Sequence, residues 1–509
     1  MKKSAIIKGT LILTAAGLIT RIIGFIYRIY LSNALGAEQL GIYQLIFPVY
    51  GICHTLYASG IQTAVSKLVA ETNGGHSPRS ASRRILFCGA FLSFCLALGC
   101  SLLLYLNADF IATVFLKEAA CAPSLRILSF VFPFCGITSC INGYSYGKNK
   151  STLPALTQVL EQLVRVGTVF LAASLSDNPV ISCELAIFGV FAGELASNLI
   201  SILTILIQMR KDFPSRTVSG SKNLLFVKTG KTFRALSGLA APLTLNRLLL
   251  SLLHSFEAIM IPTLLRRNGL SQSEALSHYG ILNGMALPIV YFASAITNAL
   301  AVLLLPTISE QDSSNDRKRI AITTERSVSV TLLLGIFCNF LFLFFGNALG
   351  NTVFHNADAG GYIRILSCLC PFLYLTTTLS SILNGLGKTM TTFTTSLIGS
   401  VLRIVLLYFL VPQSGMMGCF IALMLSQLVL CALELILVHY HTDFSLGVYR
   451  TILLPALSAA MAAFLCHRGY ILFTKDMAKD SLLLLFVACA VYTAAYLLLP
   501  VRLLVLKKH

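Results

Sequence analysis

The chain has 509 residues, 56% of them hydrophobic and 11% charged, with a mean hydropathy of +0.80 and a formal net charge of +18. A soluble protein of this length carries about a quarter charged residues, so a water-soluble enzyme is excluded. The basic excess does not indicate nucleic acid either, because it collects in short loops between apolar runs, as in the positive-inside pattern of a polytopic membrane protein.

The stretch from Met1 to Gly17 has the basic start and apolar core of a signal peptide. Its apolar run continues past Thr20 for a full span and no small-x-small site ends it, so it reads as an uncleaved first helix. Apolar runs of about 20 residues, enough to cross about 30 Å of hydrocarbon, then recur to the end of the chain. About fourteen spans are expected, near 10–34, 41–70, 85–106, 123–147, 154–176, 183–209, 236–264, 281–307, 325–349, 361–386, 392–412, 416–440, 451–473 and 481–501. A short Gly36-Ala37-Glu38 turn separates the first two. Even-numbered loops carry Arg79, Arg83 and Arg84, then Lys148 and Lys150, a basic segment from Arg210 to Arg234, and Arg317, Lys318 and Arg319. That asymmetry puts both termini in the cytoplasm. Lys475 and Lys479, in the loop from Arg468 to Asp480, favour neither side. The basic segment reads as a membrane-surface linker with an amphipathic stretch. The cysteines fall mostly within spans and act as small apolar residues, and Cys368-x-Cys370 lacks the spacing and partners of a zinc site.

An internal repeat organises the chain. Leu125-Arg126-Ile127-Leu128-Ser129 with Pro133-Phe134 recurs as Ile363-Arg364-Ile365-Leu366-Ser367 with Pro371-Phe372, and Arg165 recurs as Arg403, both at an offset of 238 residues. Glu38-x-Leu40-x-x-Tyr43 also matches Glu274-x-Leu276-x-x-Tyr279. The expected fold is an all-α polytopic membrane protein. It has an N-terminal six-helix repeat over 1–209, a basic cytoplasmic linker over 210–235, a second six-helix repeat over 236–442 and two additional transmembrane helices over 443–509. An even number of spans keeps both copies in one orientation, as parallel repeats that enclose a cavity and rock between inward-open and outward-open.

No catalytic constellation is present. Tyr146 to Thr152 brushes against a phosphate-binding loop, but Asn142 stands where the first glycine is required and the stretch ends a span. The informative residues are charges within spans: Arg21, Arg28, Glu161, Arg165, Glu194, Arg247, Glu257 and Arg403. A charge at mid-bilayer costs at least about 2.5–3.5 kcal/mol, so such groups face a bundle interior or a wet cavity. Arg21 and Arg28, seven apart, share a helix face and would jointly grip an anion such as pyrophosphate, with Arg247 across the pseudo-axis from Arg21. Simpler readings stand beside these. Arg28 snorkels or pairs with Glu38, and Glu161 and Arg165, four apart, satisfy each other. Arg126 and Arg364 anchor at the interface. Glu257 suits a Na⁺ or H⁺ coupling site, or pairs with His254 or Arg247. Glu194 and Glu434 have no visible partner, and no cofactor or metal is expected.

Thr20-Arg21-Ile22-Ile23-Gly24-Phe25-Ile26-Tyr27-Arg28, Leu35-Gly36-Ala37-Glu38, Phe47-Pro48 and Ala64 to Glu71 resemble the first two spans of the stage V sporulation protein B group of the MOP exporter superfamily. Leu304-Leu305-Pro306 to Glu310 is similar to the end of span eight across that superfamily. The resemblance implies a fourteen-helix flippase that moves a lipid-linked saccharide, such as peptidoglycan precursor, across the bacterial inner membrane. Membrane lipids and cell-wall synthesis machinery would be its partners. The chain is similar to the lipid II flippases more distantly. Tyr27-Arg28 replaces their Arg-Asp pair, and Asn283 stands where they carry an arginine, which adds Asn283 to the substrate-binding set of Arg21, Arg28, Arg165, Arg247 and Arg403. Glu257 falls near their acidic cation position. Two other functions remain: a cation-coupled multidrug or solute antiporter, disfavoured by the arginines, and a glycan polymerase, disfavoured by short outer loops.

Overall fold

The computed structural model describes residues 2–74, 79–175, 181–211, 222–476 and 482–498. Residues 212–221 of the basic linker and Lys479 lie outside the described residues, as do the side chains of Arg79 and Lys475. Every long element is a helix, as hydrocarbon requires, because a helix satisfies its backbone polar groups internally. Among the described residues ten helices are long and apolar enough to cross a membrane, or eleven with one bent pair counted as a span. Large apolar side chains such as Phe87, Leu103 and Phe91 stand exposed on their outer faces.

The chain divides into two compact units, Met1–Ile259 and Met260–His509. The N-terminal unit begins with α1 (Lys2–His54), and a π-helical turn, Thr55–Ser59, leads into α2 (Gly60–Gly74). There follow α3 (Arg79–Leu106), the short α4 (Ala122–Ser129), α5 (Val131–Gly147), α6 (Thr152–Leu175) and α7 (Cys183–Lys211). Helix α8 (Lys222–Arg267) runs across the division between the units. The C-terminal unit continues with α9 (Gln272–Gly280), the π-turn Ile281–Ala286, α10 (Leu287–Ser313), α11 (Arg317–Phe354), α12 (Ala357–Leu366) and α13 (Cys370–Gly385). It ends with α14 (Thr389–Thr442), α15 (Leu454–Asp476) and α16 (Leu482–Leu498).

Glycines decide how closely these helices approach, because lipid gives no hydrophobic drive between them and packing must come from backbone contact. A Cβ on Gly143 would lie 2.5 Å from the Gln62 carbonyl, and one on Gly147 2.6 Å from that of Ser66, which fixes α5 against α2. A Cβ on Gly335 would lie 2.6 Å from Pro371 Cα, fixing α11 against α13. The repeated Arg-x-x-Ser motif closes its helix alike in each unit. Ser129 Oγ donates to the Arg126 carbonyl at 2.7 Å, and Ser367 Oγ to that of Arg364 at 2.6 Å, just before the break that precedes Pro133 and Pro371. The α4 segment meets α5 at 47°.

Two long helices are broken by glycine. Gly36 in α1 has φ 73° and ψ 172°, and Gly415 in α14 has φ 56° and ψ −134°. Both conformations are open essentially to glycine alone. A Cβ on Gly36 would touch nothing within 4 Å, so the cost of replacing it is purely one of backbone conformation. Gly36→Ala should therefore destabilise the protein by about 1–3 kcal/mol. Gly36→Asn should cost as much, since asparagine tolerates the left-handed helical region but not this one. Thermal unfolding of the purified protein in detergent reads both.

Candidate functional site: a cationic groove in the N-terminal unit

The N-terminal unit holds its charged residues at two places, both shaped by close helix contacts. On α7, a Cβ on Gly193 would lie 2.6 Å from the Glu161 carbonyl, and one on Gly189 3.0 Å from that of Arg165. Helix α7 thus presses onto the turn of α6 that carries the charges. There Arg165 Nη2 donates to Glu161 Oε1, an i,i+4 ion pair with side chains 22% and 24% exposed. This is the self-satisfied pair expected from their spacing. Glu194, 6% exposed, follows Gly193 and lies within electrostatic range of Glu161, Arg165 and His54.

Arg28 of α1 lies within electrostatic range of Arg165 and Tyr43, and among the described residues it forms no ion pair with Glu38. Tyr30, beside it, stacks on Phe170 of α6 with ring centroids 4.0 Å apart. Arg21 and Arg28 are both exposed.

The second place is the π-turn between α1 and α2. A π-turn spares carbonyls from the helical ladder, and here side chains claim them. Ser93 Oγ donates to the Tyr57 carbonyl at 2.5 Å, and Arg247 Nη1 of α8 to the Ser59 carbonyl at 2.8 Å and Ser59 Oγ at 2.6 Å. Gly60 permits this approach, since a Cβ there would lie 2.8 Å from the Ala240 carbonyl of α8. Beside Arg247 opens a groove of about 540 Å³, walled on one side by Phe47, Pro48, Gly51, His54 and Thr55 and on the other by Leu250, Ser251, His254 and Ser255. Ser255 Oγ lies 3.0 Å from the Pro48 carbonyl, which ties α8 to the proline turn of α1.

Arg247 is thus oriented through one nitrogen, while its Nε and Nη2 make no other hydrogen bond among the described residues. An oriented guanidinium with spare donors, flanked by two imidazoles and hydroxyls, can bind an anionic group bidentately. Of the basic residues predicted to line a cavity, only Arg247 borders this groove; Arg21, Arg28 and Arg165 do not. His254 Nδ1 lies 3.8 Å from Glu257 Oε2, which realises the pairing considered for that carboxylate. In the C-terminal unit Arg403 Nε donates to Ser426 Oγ at 2.9 Å, and Asn283 Nδ2 lies 3.4 Å from the Tyr279 carbonyl within the π-turn. The roles of His54 and Ser59 were missed in the sequence, and His254 was read there only as a partner for Glu257. Pro48, six residues before His54 in an apolar run, was the available signal of an irregular helix.

The family described as polysaccharide biosynthesis protein matches residues 6–312. The chain belongs to that family. The MatE family also matches residues 249–409. The chain is 28% identical to stage V sporulation protein B of Bacillus subtilis (strain 168), over 85% of this chain and 83% of that one. With the lipid II flippase MurJ of the same organism it shares 23% identity over 99% of this chain and 96% of that one. In fold it is similar to a solved lipid II flippase MurJ in an inward closed conformation, at TM-score 0.69 and 14% identity, covering 97% of this chain and 98% of that one. An inward-facing MATE transporter matches at TM-score 0.62 and 14% identity, over 83% of this chain and 94% of that one. The protein is a multi-pass membrane protein, and its fold is the one shared by the MurJ flippase and the MATE transporters.

If Glu161 and Arg165 satisfy each other, removing one should cost more than removing both. Arg165→Gln alone strands a half-buried carboxylate and should destabilise by about 1–3 kcal/mol. The double variant Glu161→Gln, Arg165→Gln should recover most of that loss in a thermal-unfolding cycle.

Proposed function

We propose that the protein flips a polyprenyl-pyrophosphate-linked saccharide, a peptidoglycan precursor or other cell-wall unit, across the inner membrane by alternating access of its two units. The observation that carries this reading is Arg247, anchored on Ser59 with donors left over at the mouth of a groove large enough for a diphosphate and its first sugar. Two histidines and the Ser251 and Ser255 hydroxyls supply neutral hydrogen bonds to a saccharide beside it. The names of the relatives point the same way. An apolar groove of about 480 Å³ between α15 and α16, lined by residues such as Leu465, Phe473 and Val487, suits the prenyl chain. With each glycine break taken as a boundary between two crossings, and with the bent pair and α16 each taken as a crossing, the chain would cross fourteen times and keep both termini on one side, which the basic loops assign to the cytoplasm. Glu257 is the coupling candidate for Na⁺ or H⁺, and cell-wall synthesis enzymes would supply the cargo.

The test is rescue of cells depleted of their lipid II flippases, with outer-leaflet precursor measured directly. Charge-assisted hydrogen bonds contribute about 1.5–3 kcal/mol, so Arg247→Ala at normal expression should lower export about 10- to 100-fold. Arg247→Lys, which keeps the charge but loses the fork, should fall between. Full export by Arg247→Ala would overturn the assignment of the diphosphate to this groove.

A further inference from the structure

Glu434 of α14 is the most deeply buried carboxyl among the described residues, at 0% exposure. It sits within the apolar core of the C-terminal unit. Cys431 and Val438, about one turn away on either side, pack there with Leu379, Ile382 and Leu383 of α13 and Val328 of α11. Its polar neighbours are hydroxyls. Ser380 Oγ of α13 lies 2.8 Å from Oε1 and 2.9 Å from Oε2, and Thr395 Oγ1, from the first half of α14, lies 3.2 Å from Oε1. No lysine, arginine or histidine of α11, α13 or α14 forms an ion pair with it among the described residues. Among the described residues the Cys431 thiol, on its own helix, is the one titratable group in electrostatic range of it.

Counting protons decides the state of this group. Thr395 has one hydroxyl proton, and the Thr392 carbonyl, at 3.0 Å, is a closer acceptor than Glu434. That leaves Ser380 as the only firm donor to an ionised carboxylate, which has room for about four hydrogen bonds. A buried charge so poorly compensated would cost several kcal/mol. A neutral acid fits all the bonds at once. Its Oε1–H donates to Thr395 Oγ1, the Thr395 proton goes to the Thr392 carbonyl, and Ser380 donates to Oε2. Separately, Thr392 Oγ1 donates to Asn384 Oδ1 at 2.8 Å, near the exposed turn at 387–390.

We propose that Glu434 is a proton-binding site of the C-terminal unit, neutral while buried among its hydroxyl partners and releasing its proton to water admitted when the unit shifts. The released species is a proton and the group left behind a carboxylate, held by Ser380 once the unit shifts to admit water or a second donor. The site is separate from Glu257 and does not depend on the cargo assigned to the protein.

Infrared spectroscopy of the full-length protein in liposomes tests this without any transport assay. At neutral pH the wild type should show the carbonyl stretch of a protonated carboxylic acid, which Glu434→Gln should lack while keeping its unfolding temperature. The band should fade as pH is raised, and Ser380→Ala, which removes the donor that favours the anion, should move that transition upward. Should Glu434→Gln fail to fold, the Ser380→Ala shift carries the test alone. Three results would each overturn the proposal: a spectrum unchanged by Glu434→Gln in a folded protein, a band that persists at all accessible pH, or a band abolished at neutral pH by added sodium chloride, which would make this a sodium site.

Discussion

A polar or charged group inside a hydrocarbon-embedded bundle must find its partner within the protein, and in this chain the partners are reached where helices touch backbone to backbone. Gly189 and Gly193 bring α7 onto the turn of α6 that holds Glu161 and Arg165, and Gly60 brings α8 onto the π-turn that holds Ser59. With any larger residue at Gly60, α8 would be pushed away, and the Arg247 guanidinium would lose the carbonyl that orients it. The groove beside Arg247 is therefore a consequence of packing, and its chemistry cannot be separated from the glycines beneath it.

Helix irregularities supply the other half of the design. Regular helices consume all their carbonyls, so a side-chain donor in the membrane has few acceptors among them. The π-turn at Thr55–Ser59 spares carbonyls that Ser93 and Arg247 claim. Pro48 lies less than two turns upstream and cannot donate to the ladder, which adds to the same irregularity. Where α1 faces α8 these two defects fall together, whereas α3 is regular and apolar over its length.

Much of the fold was legible because hydrophobic length is a strong signal in a membrane. The two glycine breaks fall where the sequence placed boundaries between spans, and the Arg-x-x-Ser repeat takes one local geometry in both units. The pairing of Glu161 with Arg165 was legible too, since four residues on a helix place two side chains together whatever surrounds them. The partners of Arg247 were not, because Ser59 is 188 residues away and only helix packing joins them. The same holds for Glu434, whose hydroxyl partner Ser380 lies 54 residues away on another helix. Spacing reveals contacts within a helix, whereas contacts between helices depend on crossing geometry that the hydrophobic pattern does not encode.

Glu194 and Glu434 show how two buried carboxyls of one chain come to differ in chemistry. They stand 240 residues apart, Glu194 on α7 and Glu434 in the second half of α14. Glu194 has Arg165 in range, a guanidinium already engaged by Glu161, together with the His54 imidazole. Glu434 has only hydroxyls and an apolar shell, so there the proton itself must do the compensating. The shell of Glu194 thus mixes charged and polar groups, whereas that of Glu434 offers hydroxyls alone. That difference follows from what surrounds each carboxyl and owes nothing to the helix that carries it.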